Sequence, residues 1–293
     1  MKLMRFIRKA WDRLGNRRPV PQLLFKLSLF LLVLFFTNFP NPLLFIKQVG
    51  HYRNTEALIQ TDFDGIAQIN SAIDSLLQDD KSPERELKVI QWYVYKHIPY
   101  KNDWDNWLNS DYWPTAQETW QKKAEDCDGQ AILAVSIMRS RGYPNARLAA
   151  NFLHVWAIAD SIPLMGAMEE ETFSLEKDKF KIAFPSLNLF LQSAAYTILH
   201  FPAIRIIIII FTALMLCFHP ATNKLKLLLI GFLALLSILM LKDWAQSIQY
   251  AEVARINFDF ILGMMLAISG FVIALTASPD QRRKKKPVSG SFH

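Results

Sequence analysis

The chain has 293 residues, of which 52% are hydrophobic and 20% charged, with a formal net charge of +7. That balance excludes a disordered chain, and only two cysteines exclude a disulfide-built scaffold. The positive charge is not a nucleic-acid footprint, because it is segregated: residues 47–185 carry 21 acids and 15 bases, whereas the rest carries 5 acids and 18 bases that flank apolar runs.

Residues 1–21 form a basic tail with seven Lys/Arg, including Lys2, Arg5 and Arg8. A first transmembrane helix is expected over 22–46, with its most apolar stretch at 22–39. A cleaved signal peptide competes with this reading, but the run ends in Asn-Phe-Pro-Asn-Pro with no small-x-small cleavage site, which favours an uncleaved anchor. A polar domain follows over 47–186. Apolar spacing from Ala57 to Leu77 predicts an amphipathic helix over 54–77. Ser82-Pro83-Glu84 starts a helix that runs to about His97. Thr115 and Glu118 predict a capping box for a short helix over 116–123. Residues 127–140 are apolar nearly all round and predict a buried helix. Gly142-Tyr143-Pro144-Asn145 is a turn, and strands are expected over 147–152 and 154–160.

Beyond the domain, 187–202 reads as an interfacial helix or an extension of a second span, with a break at Pro202. Residues 203–277 hold transmembrane helices 2–4: one ending at Phe218, one over 225–241 and one over 257–276. Arg205 is expected to snorkel to the outer interface rather than to form a charged transport site. The tail 278–293 contains Arg-Arg-Lys-Lys-Lys at 282–286. The N-terminal tail, the loop with Lys224 and Lys226, and this C-terminal tail share one side in a four-span arrangement, and all three are basic. The positive-inside rule therefore predicts a multi-pass protein of the plasma (inner) membrane, both termini cytoplasmic and the 47–186 domain outside.

Asp62-Phe63-Asp64-Gly65 imitates part of a calcium loop, but Gln60 and Ser71 stand where the end ligands belong, so it reads as a polar helix face. The chemistry is expected in Asp126-Cys127-Asp128-Gly129 and His154-Val155-Trp156. Cys127 opens a predicted helix, where unpaired amides and the helix dipole favour a thiolate; Asp126 and Asp128 oppose it. His154 opens a strand 27 residues later. Across a helix–sheet contact the two can form an imidazolium–thiolate pair. Taken alone, each has a plainer reading: a small buried hydrophobe and a structural imidazole.

The stretch 95–160 resembles the transglutaminase-like superfamily, nearest to bacterial transglutaminase-like cysteine proteinases. The resemblance lies in Ile98-Pro99-Tyr100, Asp103, Asp111-Tyr112-Trp113, Glu118-Thr119, Asp126-Cys127-Asp128, Ala131 and His154-Val155-Trp156. It implies a papain-like core, Cys127 as nucleophile, His154 as general base and acid, and an acid on the next strand that orients the His. No Asp stands at the usual place. Asp160 lies six residues of strand, roughly 20 Å, away. A tight turn at Ser161-Ile162 pairs residues whose numbers sum to about 323, which puts Glu169 opposite His154, with Glu170 and Glu171 as register slips. Glu169 is the expected third member; a solvated acidic turn is the plainer reading. Some relatives bind calcium through acids flanking the nucleophile, which implicates Asp126 and Asp128, although two carboxylates cannot complete a site and Asp126 also suits a helix cap. Trp104, Trp107, Trp113 and Trp120 can line a cleft, and one can serve an oxyanion.

The expectation is an α+β fold, with helices packed on a small antiparallel sheet in a papain/transglutaminase-like core, joined to about four transmembrane helices. The expected function is amide acyl transfer on a protein or peptide substrate near the membrane, by hydrolysis first and transamidation second. No nucleic acid is involved and no cofactor is required, calcium being the one metal implicated. A membrane-tethered binding or assembly module is the reading from another class.

Overall fold

The computed structural model describes residues 19–168, 170–176, 179–217, 224–249 and 253–276. The basic tails at 1–18 and 277–293, and Glu169, lie outside the described residues. The chain divides into two compact units, one spanning Asn38–Tyr196 and the other built from the segments on either side of it.

The Asn38–Tyr196 unit is α+β. Its elements are α2 (Pro42–Arg53, following α1, Pro19–Asn38), a 3₁₀ turn (Thr55–Leu58), α3 (Ile66–Leu77), α4 (Pro83–His97), α5 (Asp103–Asn106), α6 (Ala116–Lys122), α7 (Cys127–Ser140), β1 (Arg147–Ala150), β2 (Val155–Ala159), β3 (Ile162–Leu164), β4 (Phe173–Glu176), β5 (Lys179–Ile182) and most of α8 (Leu187–His200). The strands form one antiparallel sheet in the order β3-β2-β1-β4-β5.

Helix α7 is the centre of this unit. Residues Asp128 to Met138 are all buried, which matches its apolar character on every face. One side meets β1 and β2, and the others meet α4 and α6. Ile69 and Ile73 of α3, Leu87, Ile90 and Val94 of α4, and Trp156 of β2 complete the core. Each buried aliphatic or aromatic side chain contributes about 1.5–3 kcal/mol.

Several boundaries differ from the sequence expectation. The helix expected over 54–77 is two elements, because the chain between Ile59 and Gly65 is extended or turned and α3 begins only at Ile66. The first apolar helix ends at Asn38 rather than 46, and a second starts at Pro42, capped by Asn41, whose side chain accepts from the Leu43 and Leu44 amides at 3.2 Å each. The capping box is present: Thr115 accepts from the Glu118 amide at 3.2 Å, and Glu118 accepts from the Thr115 amide at 2.9 Å. The β2–β3 hairpin turns at Asp160-Ser161, both left-handed (φ 46° and 68°), a two-residue turn that suits the sheet twist. Its register pairs Ala157 with Leu164 and Ala159 with Ile162, two residues short of the expected pairing.

The other unit contains α1 up to Thr37, the end of α8, α9 (Ala203–Cys217), α10 (Lys224–Gln249) and α11 (Phe258–Thr276). Among the described residues one helix is long and apolar enough to cross a membrane, Leu225–Ile248, or up to three spans if each of two bent helix pairs counts as one. Of the expected spans, the run over 225–241 lies within α10 and the run over 257–276 forms α11, while the chain breaks near Pro42 and near Pro202. Helices α10 and α11 pack together, with the Ser237 hydroxyl donating to the Gly263 carbonyl at 2.8 Å and Trp244 donating to the Arg255 carbonyl at 3.0 Å. Arg205 is buried and donates to the Thr37 carbonyl at 2.8 Å. The carbonyls at the end of α1 have no helical donor, so a guanidinium there fills that need.

Arg141, just past the end of α7, ties the Asn38–Tyr196 unit together. It donates to Glu86 of α4 at 2.5 Å, to Asp74 of α3 at 2.7 Å and to the Asn70 carbonyl at 3.2 Å, while Tyr143 donates to the other oxygen of Glu86 at 2.8 Å. Arg141→Ala leaves Glu86 half-buried without its cation and is expected to destabilise this unit by about 3 kcal/mol. Thermal unfolding followed by tryptophan fluorescence checks this; a change no larger than that of the exposed-site Lys81→Ala contradicts it.

Candidate active site

Cys127 is the first residue of α7 and is half-buried. Asp126 is the N-cap, its side chain accepting from the Asp128 amide at 3.3 Å. Gly129 lets the helix approach the strand-like segment before it: a Cβ there would stand 2.6 Å from the Cγ of Glu125 and 3.0 Å from the Cγ of Pro114. The Gln130 side chain donates to the Ile98 carbonyl at 2.8 Å, and the Lys101 amide donates to the Glu125 carbonyl at 3.1 Å, which fixes the segment after α4 beside the start of α7.

His154 ends the β1–β2 loop. Asn151 organises that loop: its Oδ1 accepts from the Leu153 and His154 amides at 2.8 and 2.9 Å, and its Nδ2 donates to the Glu170 carbonyl at 2.9 Å. Helix α7, which opens at Cys127, packs against β2, which opens at Val155, the residue after His154. His154 Nε2 lies 2.8 Å from the Met165 carbonyl oxygen. Among the described residues the Met165 carbonyl is the ring's hydrogen-bond partner, because the hairpin register is two residues short and the chain turns at Met165; the expected third member, Glu169, lies outside the described residues. Of the register-slip alternatives, Glu170 accepts from Ser186, and Glu171 accepts from Arg147 at 2.7 Å.

Five carboxylates gather around the start of α7. One oxygen each of Asp103, Asp111 and Asp128 lie within 4.8 Å of one another, and so do one each of Asp103, Glu125 and Asp126. Calcium–oxygen distances of about 2.4 Å put opposite ligands about 4.8 Å apart, so this spacing suits a hard divalent cation. Asp103 and Asp128 are each 3% exposed, and the Oδ1 atoms of both are buried without a hydrogen-bond partner among the described residues. Those orphaned oxygens are the best fit to a missing cation. By contrast, Glu125 Oε1 already accepts from Asn106 at 2.9 Å and Trp107 at 2.6 Å, and Asp126 is committed to its cap. Of the two acids flanking Cys127, Asp128 groups with Asp103 and Asp111, and Asp126 groups with Asp103 and Glu125.

Helix α2 reaches this cluster. Gln48 donates to Asp111 at 3.3 Å and accepts from the Trp113 amide at 2.8 Å, and Tyr52 also donates to Asp111. Asp103 accepts from the Tyr112 amide at 2.6 Å. Of the tryptophans expected to line a cleft, Trp107 is used on Glu125, Trp113 meets Tyr52 edge-on, and Trp120 lies against Gly65 and beneath Lys123, while Trp104 is half-buried beside Asp103 in α5. Asp103 and Asp111 stand out in the sequence as acids in a tryptophan-rich stretch, but nothing in their spacing links them to Asp128. Asn151 carries no sequence signal beyond its place at a strand end.

The electrostatics follow from burial. Burial, then Asp126 and Glu125, push Asp103 up to about 9. Burial and Asp126 push Glu125 up to about 8 and Asp111 up to about 7. Asp128 is raised well above the carboxylate range by burial, Asp126 and Asp103. The Cys127 thiol is raised by burial and by Asp126, and the Val155 amide only partly offsets this. Neither a protein-family model nor a curated protein matches the chain.

These raised carboxylates bind protons in the folded state that the unfolded chain, with values of 3.8 and 4.5, has released. Between about pH 4 and about pH 9 the folded state therefore holds more protons, and stability falls as pH rises. In a chelator the melting temperature is expected to be lower at pH 8.5 than at pH 5. Calcium should restore it at pH 8.5, and Asp103→Asn should weaken that rescue. A melting temperature that rises with pH in chelator contradicts the account.

Proposed function

We propose that this chain is a membrane-anchored cysteine enzyme of transglutaminase-like type. It acts on amide bonds of protein substrates outside the cytoplasm, first by hydrolysis. The observation that carries this reading is that the buried helix opened by Cys127 packs against the strand that follows directly on His154. A thiol and an imidazole at such a junction are the two parts that thiol acyl transfer needs. The α-helical layer on an antiparallel sheet supports a papain/transglutaminase-like core. The basic segments around the apolar helices support a cytoplasmic location for both termini and an outside location for the domain.

In the reaction, Cys127 sulfur attacks the substrate carbonyl while His154 takes the thiol proton. The tetrahedral intermediate collapses with expulsion of the amine, to which His154 returns the proton, leaving a thioester on Cys127. Water, activated by His154, then releases the acid; an amine in its place gives transamidation. Asp103, Asp111 and Asp128 are the residues that would hold calcium, which supplies positive charge against the acids that disfavour the thiolate.

A non-catalytic binding module on the same fold is the second reading, favoured by the upward push on the Cys127 thiol from burial and Asp126. The two are separated by incubating membrane vesicles that contain the full chain with envelope proteins in calcium, then labelling new protein amino termini. New termini that vanish with Cys127→Ala are expected for the protease. Incorporation of a labelled primary amine, again dependent on Cys127, indicates transamidation. Neither signal above the Cys127→Ala background leaves the binding module.

A further inference from the structure

We infer that the third member of the catalytic constellation is a peptide group, that of Met165, held in place by Gln91. This rests on the reading of Cys127 and His154 as a catalytic pair. Met165 is pinned in three ways. Its side chain is buried in the core, 2% exposed. Its amide donates to Gln91 Oε1 at 2.8 Å. Its carbonyl oxygen lies 2.8 Å from His154 Nε2.

The local backbone serves this arrangement. The β2–β3 ladder stops at Leu164, and both Met165 (φ 63°) and Gly166 (φ 72°) are left-handed. Continued pairing would turn the Met165 peptide towards the sheet; two consecutive left-handed residues turn it towards the imidazole instead. A Cβ on Gly166 would stand 3.2 Å from His154 Nε2 and 3.7 Å from the Tyr95 hydroxyl, so the turn lies close against the ring. Gln91 and Tyr95 are one helical turn apart on α4 and address the same turn.

The chemistry follows from the acceptor. A carbonyl oxygen can only accept, so Nε2 carries the proton in the neutral ring and Nδ1 is the basic nitrogen. Nδ1 then receives the proton from Cys127 and later returns it to the leaving amine, while Nε2–H stays on Met165. A peptide carbonyl orients the ring as a carboxylate would, but it brings no full charge to the imidazolium. Gln91 acts through the Met165 peptide and is a positioning residue.

The test is the rate of Cys127 alkylation by iodoacetamide across pH, in the full chain in detergent with calcium. Wild type is compared with His154→Ala, Gln91→Leu and Gln91→Glu, each also checked for melting temperature. Gln91→Leu removes the acceptor and is expected to slow alkylation at pH 7 about tenfold, moving the pH midpoint towards that of His154→Ala. Gln91→Glu keeps an acceptor oxygen at the same reach and is expected to stay close to wild type. If His154→Ala slows alkylation but Gln91→Leu does not, the inference is overturned and the Cys–His pair survives. If Gln91→Glu is as slow as Gln91→Leu, the lost acceptor is not the cause and the inference is likewise overturned. If His154→Ala changes nothing, the catalytic pair itself falls and the inference with it.

Discussion

Burying Asp103, Asp111, Glu125, Asp126 and Asp128 around the first turn of α7 is the constraint on which the site depends. Five like charges in that space cannot all be carried without compensation, and burial with mutual repulsion raises their proton affinities. The protein can meet this cost with protons or with a divalent cation. The choice matters because Cys127 shares the same field. With protons alone the charge is relieved but the half-buried thiol gains no positive partner from the cluster. A cation adds positive charge where the helix dipole already favours a thiolate.

The surrounding structure is arranged to hold that cluster. The segment after α4 pairs with Glu125, the Tyr112 amide holds Asp103, and Gln48 and Tyr52 of α2 hold Asp111. Helix α2 directly follows the first apolar helix in sequence. Asp111 is thereby held by the part of the domain nearest in sequence to the proposed anchor.

Much of this was legible in the residues. Helices with strong ends, such as Pro83–His97 after Ser82 and Ala116–Lys122 with its capping box, lie where the local pattern puts them. So does Cys127–Ser140, whose apolar run has nowhere to go but the core. What was not legible depends on backbone details without a side-chain signature. The two-residue turn at Asp160-Ser161 shifts the hairpin by two, and the left-handed pair Met165-Gly166 ends it, so the strand pairing counted along the sequence does not continue as far as His154. The helix over 54–77 was overextended because apolar spacing continues through an extended stretch. Asp103 and Asp111 were visible as acids, but only the fold brings them to Asp128. The apolar runs were visible too; their breaks near Pro42 and Pro202 decide how many count as spans.

We propose that a divalent cation held by Asp103, Asp111 and Asp128 would favour the thiolate form of Cys127 beside His154. The direct measurement is the pH dependence of Cys127 alkylation in the full chain, in chelator and in calcium. In chelator the midpoint should lie above the ordinary thiol value of about 8.5. In calcium it should fall below that value, and His154→Ala should reverse the fall. A midpoint that calcium leaves unchanged would contradict the account.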